Sequence, residues 1–240
     1  SPQAPYQTIS EAAQVAMPGD EVLVLPGFYR EWVDPKNGGA GEDQRITYRS
    51  QVPGGAVITG AEVIKSWQPY QGDVWVARVS NSLYESEDLE GVLDPQVDKA
   101  SWDPAFTVYR WYTCQEGECT VLYANFHGAD PNRENVEINV RRNCFYPSKT
   151  GVNYITLSGF VIRQAATQWA PPTAYQEGMV GPHWAKGWIM EDCEISDSKC
   201  SGISLGKYLQ PENDNKWLHK KYQDGTQTDR ECICLAQIQG

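Results

Sequence analysis

Tyr154-Ile-Thr-Leu-Ser-Gly-Phe-Val-Ile-Arg163 decides the fold. It returns thirty-three residues later as Gly187-Trp-Ile-Met-Glu-Asp-Cys-Glu-Ile-Ser196. Superposed, Thr156 falls on Ile189, Gly159 on Asp192, Phe160 on Cys193 and Ile162 on Ile195. Each copy is two short β-runs around one turn residue, and Ser201-Gly-Ile-Ser-Leu205 adds a third run after the second copy. Three short strands per repeat describe one coil of a parallel β-helix. A single coil cannot bury its apolar side alone, and stacked coils share a continuous core. The pattern predicts Ile155, Leu157, Phe160, Ile162, Ile189, Cys193, Ile195 and Ile203 pointing inward.

Working outward from the repeat, Thr8 to Ala16 has apolar Ile9, Ala12, Ala13 and Ala16 at helical spacing, with Thr8 and Glu11 set for a capping box. This helix is expected to close the open end of the first coil, where core and backbone would otherwise be bare. Pro18-Gly19-Asp20 turns the chain into Glu21-Val-Leu-Val-Leu25, and Gly27 after Pro26 is expected to take a positive φ beneath the ring of Tyr29. Arg45–Arg49 and Ala56–Gly60 read as the next strands. Val74–Val79 alternates by two, and Val108–Tyr112 with Thr120–Asn125 reads as a hairpin, so these form an antiparallel excursion from the stack. Val136–Val140 is expected to rejoin the stack. The division is therefore 1–65 (cap and first coils), 66–135 (inserted antiparallel portion) and 136–240 (further coils). The fold class is all-β.

Composition narrows the partners. The chain has 240 residues, 40% hydrophobic and 21% charged, with net charge −11. The acidic balance argues against nucleic acid and anionic membranes, and more weakly against polyuronates. No apolar run of ~18 residues is present to span a membrane, and no leader precedes Ser1, so a cytoplasmic location is expected. The seven cysteines are odd in number, which favours free thiols. A turn at Glu116-Gly117 would set Cys114 directly across from Cys119, at bridging distance. Cys193, Cys200, Cys232 and Cys234 lack a zinc spacing, and Cys193 reads as core.

The chemistry-bearing stretch is the insert Gln164–Gly187. It carries Trp169, Tyr175 and Trp184, stiffened by Pro171, Pro172 and Pro182. A long loop on a rigid stack is where function usually sits, and an aromatic ring offers a flat apolar face to the C–H face of a sugar. Trp169, Tyr175, His183 and Trp184 are the candidate substrate-binding residues. The competing reading is that the rings only glue the loop to the coil and that His183 is structural. Asp192, Glu194 and Asp197 read as turn and solvent-facing carboxylates, Lys207 as a solvated corner residue, and Arg141-Arg142 as partners for nearby carboxylates. No catalytic or metal-ligating residue is assigned, and the polar tail 211–230 reads as an exposed loop.

The opening Ser10-Glu-Ala-Ala-Gln-Val-Ala-Met-Pro-Gly-Asp-Glu-Val-Leu-Val-Leu-Pro-Gly-Phe-Tyr29 resembles that of pectin-lyase-like β-helix enzymes. Tyr123-Ala-Asn-Phe-His-Gly-Ala-Asp-Pro-Asn132, Asn139-Val-Arg-Arg-Asn-Cys-Phe-Tyr-Pro147, Trp169-Ala-Pro-Pro-Thr-Ala174, Lys186-Gly-Trp188 and Ser201-Gly-Ile-Ser-Leu-Gly-Lys207 resemble β-xylosidases of glycoside hydrolase family 120. The resemblance implies a right-handed parallel β-helix with an added β-sandwich-like portion, and retaining hydrolysis of xylo-oligosaccharides without a cofactor. It also implies that the nucleophilic aspartate and acid/base glutamate lie in coils beyond the point matching Gly240, and that the insert is shortened where Ser82-Leu83 meets Tyr84-Glu85. The partners expected are a xylo-oligosaccharide and, in a homo-oligomer, further copies of the chain. A polysaccharide lyase or a non-catalytic carbohydrate-binding protein is the alternative on the same scaffold.

Overall fold

The computed structural model describes residues 5–84, 111–170, 177–205 and 237–239. These divide into two compact units, 1–60 with 141–240, and 61–140.

The first unit is built from parallel ladders. One runs through β1 (Glu21–Val24), β3 (Ile46–Ser50), β11 (Ile155–Ser158), β13 (Ile189–Glu191) and β15 (Gln237–Gln239), in that spatial order. A second joins β2 (Gly27–Arg30), β4 (Ala56–Thr59), β12 (Phe160–Arg163) and β14 (Glu194–Ser196). A third is a line of single parallel bridges, Val33 to Phe145 to Val180 to Ile203. Each coil thus visits the ladders in turn, and the register is the one the repeat predicts: Thr156 pairs with Ile189 and Ile162 with Ile195. Gly159 and Asp192, the shared turn residues, both take the left-handed conformation, at φ 74° and 51°. Glycine does so without strain, and aspartate is among the side chains that tolerate it best.

Stacking in register puts like on like. Ile58, Ile162 and Ile195 lie side by side in one ladder, Tyr48, Leu157 and Met190 in another. Ile155, Leu157, Phe160 and Ile162 are fully buried, with Cys193, Ile195 and Ile203 packed against them. Ile189 departs from the expectation. It pairs with Thr156, not with an inward residue, so the two-residue strand period hands the inward positions to Trp188 and Met190 on either side. Aromatic edges tie the ladders together: Tyr48 meets Phe145 at 5.0 Å and Phe145 meets Trp188 at 6.0 Å, both edge-to-face.

At the first coil, α1 (Ile9–Val15) carries the expected capping box between Thr8 and Glu11 and sends Ile9 and Ala13 into the core, joined by Ala16 at its C-cap. Glu31 accepts from the amides of Ile9 and Ser10 at 2.9 and 2.8 Å, completing the helix start. The positive φ in the following stretch belongs to Gly19 and not to Gly27, and Tyr29 covers the turn by donating to the Leu25 carbonyl at 2.9 Å.

The second unit is antiparallel. β6 (Gln68–Gln71), β7 (Val74–Ser80), β9 (Cys119–Asn125) and β8 (Trp111–Glu116) form one sheet in that order. Its inner face carries Ala77 and Leu122, packed with Ile64 and Trp67. Asn132 holds Trp67 at both backbone groups, at 2.9 and 2.8 Å. β10 (Glu137–Asn139) does not rejoin the parallel stack as expected. It pairs antiparallel with β5 (Ala61–Val63), because the strands that leave and return flank the same point of the chain path. In the hairpin, Glu116 pairs with Cys119 and the turn is Gly117-Glu118, one residue later than the sequence suggests. Gly117 takes φ 62°, the first-position demand of a II′ turn. The shift sets Cys114 opposite Val121, and both thiols are free. Among the described residues no helix is long and apolar enough to cross a membrane.

Candidate functional site

Two coils throw out long excursions at the same place, between the second ladder and the third. In one coil the excursion starts after β4. In the next it is the loop from Gln164 to Gly178, between β12 and Val180. The base of this loop is fixed by many bonds. Ala166 N donates to Arg141 O at 2.8 Å, Gln164 N to Ser196 O at 3.3 Å and Lys199 N to Ala165 O at 2.9 Å. The Thr167 hydroxyl accepts from Cys200 N at 2.8 Å and shares a hydrogen with Ser198 at 2.8 Å. Ala165, Ala166 and Thr167 are accordingly buried. Two residues later Trp169 is 72% exposed.

Arg142 closes the loop from below. Its guanidinium donates to Gln168 Oε1 at one end and lies 3.9 Å from the Glu177 carboxylate at the other. Asn143 next to it donates to Gly178 O at 2.7 Å. The loop therefore leaves and returns over one Arg-Asn pair. Sequence reasoning placed Arg142 beside a carboxylate, and Glu177 is that carboxylate. It did not identify Gln168, Asn143 or the clamp they form, because the partners are separated by about thirty residues of chain and no local spacing connects them.

The remaining candidates are distributed as follows. His183 is buried, with Nδ1 2.7 Å from the Pro147 carbonyl and its ring stacked on Tyr146 at 5.3 Å. Trp184 is half-buried, and its indole N–H is sealed from solvent with no hydrogen-bond partner among the described residues. Both have positive φ, 46° and 65°, a costly conformation for such side chains that persists only where the surroundings enforce it. These two residues follow Val180 in the chain, whereas Trp169 precedes it. Tyr175, Pro171, Pro172 and Lys207 lie outside the described residues. Asp192, Glu194 and Asp197 are exposed, and Asp192 and Asp197 occupy left-handed turn positions. Among the described residues no group of three or more His, Cys, Asp or Glu side chains is placed to hold a metal.

The described part of the loop presents a solvent-facing indole at Trp169, one residue after Gln168, whose amide the Arg142 guanidinium holds. An apolar face beside hydrogen-bonding groups suits a neutral polyol. A family profile described as "Glycoside hydrolase 120, insertion domain" matches residues 81–138, within the antiparallel unit. A solved structure described as the complex of XylC with xylose is 40% identical, with a TM-score of 0.77, over 92% of this chain and 42% of that one. The chain thus spans less than half the length of XylC. A second structure, described as a glycoside hydrolase, aligns at 12% identity and a TM-score of 0.47 over 76% of this chain and 55% of that one, too distant to carry an argument. No curated protein matches. The 61–140 unit thus carries the match to the insertion domain of glycoside hydrolase family 120, and the chain as a whole is similar to XylC.

Proposed function

We propose that this chain forms part of a retaining β-xylosidase acting on xylo-oligosaccharides, built on a right-handed parallel β-helix. The observation that carries the reading is the 40% identity over 92% of the chain to a protein seen with xylose. Three parallel ladders visited in turn support the helix, and the strong preference of parallel crossovers for the right hand supports its sense.

In this reading the chain supplies binding and position. Retaining hydrolysis needs two carboxyl groups about 5–5.5 Å apart, one attacking the anomeric carbon and one protonating the leaving oxygen, then activating water. Asp192, Glu194 and Asp197 are spent on turns and a solvent face, so the catalytic pair is assigned to coils of the family fold beyond those matched here. Trp169 is the sugar platform, and the bond from Arg142 to its neighbour Gln168 fixes the chain beside it before substrate arrives, which lowers the ordering cost of binding. His183 and Trp184 follow Val180, where the chain passes from the third ladder towards β13.

The test is Trp169→Ala in a full-length protein carrying this chain. KM for xylobiose rises by about fivefold with kcat nearly unchanged, as expected for loss of one aromatic face that binds ground state and transition state alike. An unchanged KM in a folded variant removes Trp169 from the substrate site.

A further inference from the structure

The sheet of the 61–140 unit has a second face. Trp75, Ala77, Leu122 and Ala124 pack inward, so their strand neighbours point the other way. Across the sheet, Val76 pairs with Tyr123 and Tyr123 with Tyr112. Tyr70, on the edge strand, joins the same row. The Tyr112 and Tyr123 rings lie 6.3 Å apart and 34° from coplanar, and Tyr70 stands edge-on to Tyr123 at 5.1 Å. Tyr70 is 62% exposed and Tyr112 55%. Beside the row, on the same face, Arg78 pairs with Glu116.

We propose that this tyrosine row is a second carbohydrate-binding surface, taking a neutral β-linked pyranose chain of the xylan type. The choice of xylan rests on the proposed function above. The choice of a sugar chain rests on the row itself. Two rings tilted 34° to each other and a third edge-on to Tyr123 line one row, so the surface offers more than one ring contact along its length. All three side chains combine an apolar ring with a hydroxyl, matching the alternation of C–H faces and hydroxyls on a pyranose. Arg78 and Glu116 add a donor and an acceptor at the rim. The net charge of −11 and the adjacent Glu116 disfavour polyuronates. A stable protein partner buries roughly 800 Å² on each side, and a few exposed tyrosine rings fall short of that.

In this proposal the row binds polymer and takes no part in bond cleavage, so its loss separates two readouts. In native gels containing soluble xylan, the chain is retarded, and Tyr112→Ala or Tyr70→Ala weakens the retardation by about fivefold for the loss of one ring contact. Tyr112→Phe keeps it. In the full-length protein Tyr112→Ala leaves KM for a short aryl-β-xyloside unchanged. Both positions are exposed, and an unchanged melting temperature confirms folding. Four results overturn the proposal: no retardation of the unaltered chain, retardation that survives Tyr112→Ala, equal retardation by polygalacturonate, or self-association that Tyr112→Ala abolishes. A changed KM for the short substrate would instead fold the row into the active site and remove its standing as a separate surface. Absence of any xyloside turnover in the full-length protein is a different failure, that of the proposed function.

Discussion

Tyr48 lies at 0% exposure in the core with Phe145 and the stacked isoleucines, and among the described residues its hydroxyl has no hydrogen-bond partner. Burial pushes its phenol well above the ordinary tyrosine value. The fold accommodates the neutral form only. As pH rises past about 10 the unfolded chain gives up this proton first, so the stability tied to the neutral phenol is whole below that pH and is lost above it. Tyr48→Phe keeps the ring and deletes a hydroxyl that pairs with nothing, so it is expected to leave the melting temperature at pH 7 unchanged or raise stability by about 1 kcal/mol, and to flatten the fall in melting temperature between about pH 9 and 11. A clear loss at pH 7 would show that the hydroxyl has a partner. Residue-scale legibility was uneven. Phe160 and Ile162 were readable because a strand's inward positions recur every second residue, whereas Ile189 was misplaced by attending to its apolarity over its pairing with Thr156. The thiols of Cys114 and Cys119 hung on a turn that Gly117 moves by one residue.

The element that holds the coils together is the isoleucine line through β4, β12 and β14. Ile162 sits between Ile58 and Ile195 in register and is fully buried. Ile162→Ala removes contacts in both directions and leaves a cavity that strands on either side cannot close, so a loss of ~2–5 kcal/mol is expected in urea or thermal unfolding. A loss near zero would mean that the stacked positions are not a packed core. The repeat was visible in sequence at the last two full coils because β11–β12 and β13–β14 have the same spacing. It was invisible at β3–β4, where the turn Gln51–Gly55 replaces a single residue. The same limit hid the fate of β10. Its alternation fits any half-buried strand, and only the antiparallel partner at β5 distinguishes it from a coil strand.

At the scale of the whole chain, the ladders stack strands in register, and in the proposed function the excursions between them carry the surfaces that meet ligand. The Arg142 clamp under Trp169 is built from Gln168, Glu177, Asn143 and Gly178, which no motif connects, so the site was legible as a loop with rings and not as a geometry. In the proposed function these coils bind substrate, and bond cleavage falls to others of the family fold. The direct test is aryl-β-xyloside hydrolysis by the 240-residue chain beside a full-length protein carrying it, at equal concentration, with the anomeric configuration of the first-formed sugar read by NMR. The expected result is turnover with retained configuration by the full-length protein and none by the chain alone. Comparable turnover by the chain alone, sending the search for the carboxylate pair back to Asp192, Glu194 and Asp197, would contradict it.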